Sequence, residues 1–116
     1  MDHGDTIESY VAAWNERDAG RRTALLEAVF SEAGSYTDPT ASVSGRDAVI
    51  AHIGGFFERF PTGSMERRSR VDGYGDVVRF AWALVDQGRD VIVGVDFVVL
   101  EGDGRIRSVT GFFGEL

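Results

Sequence analysis

The sequence contains no cysteine, only two histidines and only two prolines in 116 residues. Without thiols there is no disulfide framework and no thiolate chemistry. His3 and His52 lie far apart with no ligand-spaced companions, so a metal site is not expected and structural zinc is excluded. Basic residues are scarce as well: 12 Lys and Arg stand against 19 Asp and Glu, a formal charge of −7. A field of that sign repels phosphate backbones and anionic bilayers, so nucleic acid and membrane surfaces are not expected partners. No apolar run reaches membrane-spanning length. The start, "MDHGDTIESY", has neither the basic stretch nor the apolar core of a signal peptide, and the reading is therefore cytoplasmic. What is present is a folding composition: 43 % apolar residues, with 8 Phe, 3 Tyr and 2 Trp. That suits one globular domain over residues 1–116.

Helical patterning fills the first half. In "DTIESYVAAWNER", Ile7, Tyr10, Val11 and Trp14 recur at helical spacing, with Asp5 and Glu8 in capping-box register. A second helix follows "DAG", carries Leu25, Leu26, Val29 and Phe30 on its apolar face, and stops before "EAGS". "SYTDP" reads as a short strand ended by Pro39. A third helix starts at "SGRD", where Ser44 is the candidate cap. It runs through Val49, His52, Ile53, Phe56 and Phe57 to about Phe60, weakened at Gly54-Gly55.

After Pro61 the pattern becomes that of strands. "SMERRSRVDGY" alternates as an outer strand, "DVVRFAWALVD" places Val78, Phe80, Trp82 and Leu84 on one face, and "RIRSVTGFFGEL" closes the chain. The segments "DGYGD", "DQGRD" and "EGDGR" between them carry hairpin turn chemistry. Helices first and long strands last predict an α+β domain, with the helices packed on one face of a curved sheet.

"VIVGVDFVVL", residues 91 to 100, is apolar on both faces except for Asp96. A strand apolar on both faces has both faces covered. One face meets helices or a pocket, and the economical cover for the other is a second copy of the chain, a homodimer through the sheet. A carboxylate placed in such a strand either pairs with a cation, Arg79 or Arg107 being the candidates, or stays protonated and acts as a hydrogen-bond donor.

The stretches "SYVAAWN", "SYTDPTASVSGRDAVIAH" and "QGRDVIVGVDFVVLEGDGRIRSVTGFFGE" resemble the ketosteroid isomerase and SnoaL-like branch of the nuclear transport factor 2-like (NTF2-like) superfamily, over roughly residues 5 to 115. The resemblance implies a cone: three helices on a strongly curved, mixed but mostly antiparallel sheet enclosing an apolar pocket. It implies catalytic roles for Tyr10 and Asp96, as donors to a developing oxyanion, and for Asp38, as the carboxylate that moves the proton. Trp14, His52, Phe56, Trp82 and Phe112 are the expected ligand contacts. The implied activity needs no cofactor. It is proton transfer α to a carbonyl of a small apolar substrate, giving a double-bond shift or an intramolecular aldol closure.

The sequence departs from the isomerases in its longer spacing from Tyr10 to Asp38 and in Ile53, where they carry a second pocket tyrosine. Trp82 is bulky enough to narrow the cavity against a four-ring substrate. Plainer readings stand beside each residue: Tyr10 as a half-buried core tyrosine, Asp38 as a turn former before Pro39, His52 as a rim histidine, and Trp82 as a liner with no chemistry of its own. Arg79 is the conceivable centre of an epoxide-opening Asp-Arg-Asp set, but its strand parity sets it opposite Phe80 and Trp82. A binding module that holds an apolar ligand without turnover is the alternative function.

Overall fold

A computed structural model describes residues 3–115; Met1, Asp2 and Leu116 lie outside the described residues. Three helices precede most of a seven-stranded sheet: α1 (His3–Asn15), α2 (Ala19–Val29), β1 (Phe30–Asp38), β2 (Ala41–Ser44), α3 (Arg46–Arg59), β3 (Gly63–Arg67), β4 (Asp72–Tyr74), β5 (Val77–Asp86), β6 (Arg89–Leu100) and β7 (Ile106–Phe113). The sheet runs β2-β1-β7-β6-β5-β3, with β4 also paired to β5. It is mixed and open: β1 and β7 are parallel, and the other pairings are antiparallel. The expected α+β cone is the observed fold.

Helix α1 buries Ile7, Tyr10, Ala13 and Trp14, a stripe at 3.6-residue spacing that faces the sheet. It is already helical at His3, so Asp5 lies within the first turn and not at the cap. There its charge complements the helix dipole. The end of α1 is fastened to β3: the Asn15 side-chain amide donates to Met65 O at 2.8 Å and accepts from Met65 N at 2.7 Å. This two-way pairing sets Trp14, one residue earlier, against the sheet.

Helix α2 is capped by Asp18, whose carboxylate accepts from Arg21 N at 2.9 Å. It ends at Val29, before the Phe30 that the sequence pattern places on its apolar face. Phe30 has extended geometry and opens β1, where it is fully buried and stacks on Tyr10 at 6.3 Å. The first strand is accordingly nine residues long, and β2 follows as a short partner that the sequence pattern did not reveal. Ser44 ends β2 and caps nothing. The N-cap of α3 is Gly45, at φ 92°, a backbone conformation open to glycine and strained for other residues.

The expected outer strand is broken in two. After Arg67 the chain leaves the edge of β5, and it is held there by Ser69, whose Oγ accepts from Ala81 N at 2.8 Å. β4 resumes the pairing at Asp72. Strand β5 alternates as expected, with Val78, Phe80, Trp82 and Leu84 all buried on the helix side. On β6 the same side carries Asp96, Val98 and Leu100. The opposite face has no helix over it, and Val91 there is 49 % exposed.

Gly94 lies opposite Trp82 in the β5–β6 register, where a Cβ would overlap the Phe112 carbonyl oxygen and the Trp82 ring. Gly94→Ala is therefore expected to destabilise the fold by about 1–3 kcal/mol through overpacking. Urea unfolding is the check, and an unchanged midpoint would contradict this account of the packing.

Candidate functional site

A cavity of about 190 Å³ opens between the helices and the concave face of the sheet. Its wall is mainly aromatic. Trp14 meets Phe56 at 5.5 Å and Tyr36 at 5.8 Å, and it lies edge-on to His52 at 6.1 Å; Tyr36 and His52 are themselves 5.0 Å apart. Trp82, Leu84 and Ile92 close the sheet side, and Arg59 and Phe113 also contribute to the lining.

The polar chemistry gathers at one end of the wall. Strand period two puts Tyr36 and Asp38 on the same face of β1, and the Tyr36 hydroxyl donates to Asp38 Oδ2 at 2.6 Å. Asp38 Oδ1 accepts from Thr40 N and Thr40 Oγ1, both at 2.7 Å, and from Ala41 N at 3.0 Å, forming the turn after Pro39. Burial would raise the Asp38 pKa, but the hydrogen bonds from Tyr36 and Thr40 and the nearby His52 outweigh it and hold the carboxyl below its usual range. Oδ1 carries three donors and Oδ2 only one, so Oδ2 is the atom with a lone pair left for a substrate proton.

Burial depresses the His52 pKa, and Arg59 adds to that effect while Asp38 opposes it, so the imidazole is neutral at pH 7. Tyr36 is held in its phenol form, first by burial and then by neighbouring Tyr10 and Asp38.

Asp96 is buried and has no ion pair among the described residues. Trp82 Nε1 donates to its Oδ1 at 2.8 Å, while Arg79, on the other face, pairs with Asp72 at 3.0 Å. Burial pushes the Asp96 carboxyl up to about 7; the Trp82 hydrogen bond works against the shift and the charge of Asp38 adds to it. Trp82 is thus a cavity liner, as expected, and also a hydrogen-bond donor to the buried acid. Asp38, Asp96 and Tyr36 converge on Gly111. A Cβ placed there would sit 3.0 Å from Asp96 Oδ1, 3.4 Å from Asp38 Cβ and 3.8 Å from the Tyr36 hydroxyl.

The expected residues therefore divide. Trp14, Asp38, His52, Phe56 and Trp82 line the cavity, whereas Tyr10 and Asp96 lie behind its wall. The Tyr10 hydroxyl is buried with no partner in hydrogen-bonding geometry among the described residues. Burial and then the charge of Asp96 keep it protonated, while the Trp14 indole favours the ionised form without closing a bond. Phe112 is corrected: its side chain is on the opposite face of the sheet, packed on Phe97 at 5.6 Å, and its neighbour Phe113 takes the cavity side. Sequence reasoning passed over Tyr36, although its two-residue offset from Asp38 was the available signal. It also passed over Arg59, whose signal was helical spacing from His52 and Phe56. Among the described residues, no group of three or more His, Asp or Glu side chains could hold a metal ion. No helix of the described residues is long and apolar enough to cross a membrane.

Residues 7–109 match the family model for the SnoaL-like domain. A solved structure of a candidate isomerase of the SnoaL-like family from Agrobacterium tumefaciens is 34% identical, covers 99% of this chain and 100% of its own, and superposes with a TM-score of 0.92. More distant structures share the fold. An NTF2-like protein of unknown function from Cytophaga hutchinsonii is 14% identical over 98% of this chain and 91% of its own, with a TM-score of 0.75. A candidate SnoaL-like polyketide cyclase from Jannaschia sp. CCS1 is 18% identical over 93% and 84%, with a TM-score of 0.71. Among curated proteins none matches the sequence.

The raised Asp96 pKa predicts a pH dependence of stability. In the unfolded chain Asp96 ionises near 3.9, so between about pH 4 and 7 the unfolded state has lost a proton that the native state keeps. The contribution of Asp96 is thus full below pH 4, falls as pH rises, and levels off above 7. Asp38, with its lowered pKa, works in the opposite sense and in a separate window, losing its contribution only as pH falls below about 4. Urea unfolding at pH 5 and pH 8 is expected to show a decline of a few kcal/mol at the higher pH, since each tenfold difference in proton affinity between the two states is worth about 1.4 kcal/mol. The decline should shrink in Asp96→Asn, and an identical decline in the variant would remove Asp96 as its source.

Proposed function

The chain belongs to the SnoaL-like family, and on that premise we propose that its cavity carries out cofactor-independent proton transfer α to a carbonyl of a small apolar substrate. The observation that carries this reading is a pair of carboxyls with oppositely shifted proton affinities around Gly111: Asp38 held ionised on the cavity wall, and Asp96 pushed up to about 7 behind it, where it keeps a proton through the mildly acidic range. Environments that push two acids apart separate a base from an acid at one pH.

Asp38 Oδ2 takes the proton from the α carbon and the electron pair moves onto the carbonyl oxygen. Return of the proton at a different carbon completes a double-bond shift, while attack of the enolate on a second carbonyl of the same molecule closes a ring. Neutral His52, beside Asp38 on the wall, is the second group able to carry the proton. Of the groups whose protonated forms are favoured around Asp38, Tyr36 lines the cavity and is the one placed to donate to the developing oxyanion, while Tyr10 and Asp96 support it from behind the wall. The names of the relatives, a candidate isomerase and a candidate polyketide cyclase, agree with these two outcomes. A cavity of about 190 Å³ is below the roughly 300–1,000 Å³ of drug-sized ligand sites and favours a one- or two-ring substrate over a four-ring one.

The outer face of the sheet supports pairing of two copies. Phe112 is 51 % exposed and lies beside Phe97 and Val95, with no layer over them among the described residues. Burying such a face removes apolar area from water at about 25 cal/mol per Å².

The assay is isomerisation of 3-cyclohexenone to the conjugated ketone, followed by ultraviolet absorbance, with deuterium uptake from D2O followed by NMR. Asp38→Asn, which keeps an oxygen for the turn, is expected to reduce the rate by about 10²–10⁴-fold. Turnover unaffected by that change, or absent from the unmodified protein, would remove the proposal. For the pairing, Phe112→Arg is expected to convert a dimer to a monomer in sedimentation velocity. A monomer before the change would count against it.

A further inference from the structure

Arg59 is the cavity residue for which the proton-transfer mechanism has no use. It sits in the last turn of α3 and is exposed at the lining of the cavity. Among the described residues it has no ion-pair or hydrogen-bond partner, although its charge is felt by His52. The exposed arginines Arg68, Arg70 and Arg79 pair with carboxylates elsewhere on the sheet, and Arg59 differs from the other exposed arginines of the described residues in that it lines the cavity.

Helical spacing gives the lining a direction. His52, Phe56 and Arg59 stand at i, i+4 and i+7, which places them on one face of α3. Seven residues at 1.5 Å rise set the His52 and Arg59 backbone positions about 10.5 Å apart along the helix axis. One end of the cavity therefore carries His52 beside ionised Asp38 and Tyr36. The other end carries a free guanidinium, and the wall between them is aromatic and aliphatic.

We propose that Arg59 is a specificity residue, and that the natural ligand is an apolar carbonyl compound bearing a carboxylate remote from the carbon that exchanges its proton. The inference rests on the proton-transfer reading of the same cavity and adds the substrate class to it. A guanidinium presents a planar fork that matches a carboxylate in two parallel hydrogen bonds. One unpaired arginine matches a monoanion; a phosphate dianion would call for further donors, and no other cation lines the cavity among the described residues. The protein carries a charge of −7, so its general field disfavours anions, and a local cation at the mouth is what would admit one. The plainer role for Arg59 is to complement the C-terminal dipole of α3. That role needs no place at the cavity and gives no discrimination between ligands of the same shape.

Trp14 and Trp82 are the only tryptophans of the chain and both line the cavity, so intrinsic fluorescence reports its occupancy directly. The experiment titrates the full chain with 4-phenylbutyrate and with its neutral isostere 4-phenylbutyramide, at low salt and at 0.5 M NaCl. The expected result is carboxylate binding at least tenfold tighter than amide binding, with the preference reduced by salt, lost in Arg59→Gln and largely kept in Arg59→Lys. Equal affinity for the two probes, a preference that survives Arg59→Gln, or binding of neither probe overturns the proposal. The readout is independent of turnover. An inactive protein that still prefers the carboxylate through Arg59 would overturn the proton-transfer reading and leave the anion site standing, and an active protein with no preference would do the reverse.

Discussion

Tyr36 pairs with Val109 and Thr37 with Thr110, so the strand that ends in Asp38 runs parallel to β7 and beside Gly111, whose neighbour on the far side is Asp96. Two acids 58 positions apart in the chain are brought to the two sides of one residue. That residue has no side chain, and the space where a Cβ would stand is already in contact with Asp96 Oδ1 and Asp38 Cβ. The parallel pairing of the first and last strands thus creates the juxtaposition on which the site depends, and the helices complete it by covering the same face of the sheet.

The contrast between the acids follows from how many donors each has relative to its burial. Hydrogen bonds to a charged group contribute about 1.5–3 kcal/mol each. Asp38 accepts four, at a turn whose backbone N–H groups are aimed at it, and is only partly removed from water. Asp96 accepts one, from the Trp82 indole, and is almost entirely enclosed by β5, β7 and the helices. Four donors outweigh partial desolvation, whereas one does not outweigh nearly complete desolvation. The same fold therefore shifts the two carboxyls in opposite directions, Asp38 down and Asp96 up to about 7, with no salt bridge to either among the described residues.

The wall of the cavity shows how local features fix a distant geometry. Asn15 ties α1 to the β3 edge and so aims Trp14, and Gly45 turns the chain into α3 and so sets the phase of His52, Phe56 and Arg59. Trp82 spans the concave face because Gly94, opposite it, leaves room for the ring. These contacts set the small volume of the cavity and the separation between its acidic and basic ends.

The α+β class, the number of helices and the inward faces of α1 and β5 were legible in the sequence, because the burial of apolar residues at periods of 3.6 and 2 is written directly into their spacing. The anomaly of Asp96 was legible for the same reason: a single carboxylate interrupts an apolar strand. The short strand β2 was not, because its four residues show no strand pattern apart from their pairing with β1 across the turn at Pro39; nor were the break between β3 and β4 and the change from helix to strand at Phe30, which are decided by partners farther along the chain. The face of Phe112 turned on a register that the final apolar pair leaves ambiguous, and a shift of one residue exchanges the two faces. The hydrogen bonds of Asp38 and Asp96 depend on side chains brought together from β1, β5 and β7. Composition and periodicity determined that this chain folds as helices on one face of a curved sheet with an acid inside. Only the tertiary structure decided which donors that acid meets and which residues line the cavity, because those distances depend on strand pairing across the whole chain and not on spacing along it.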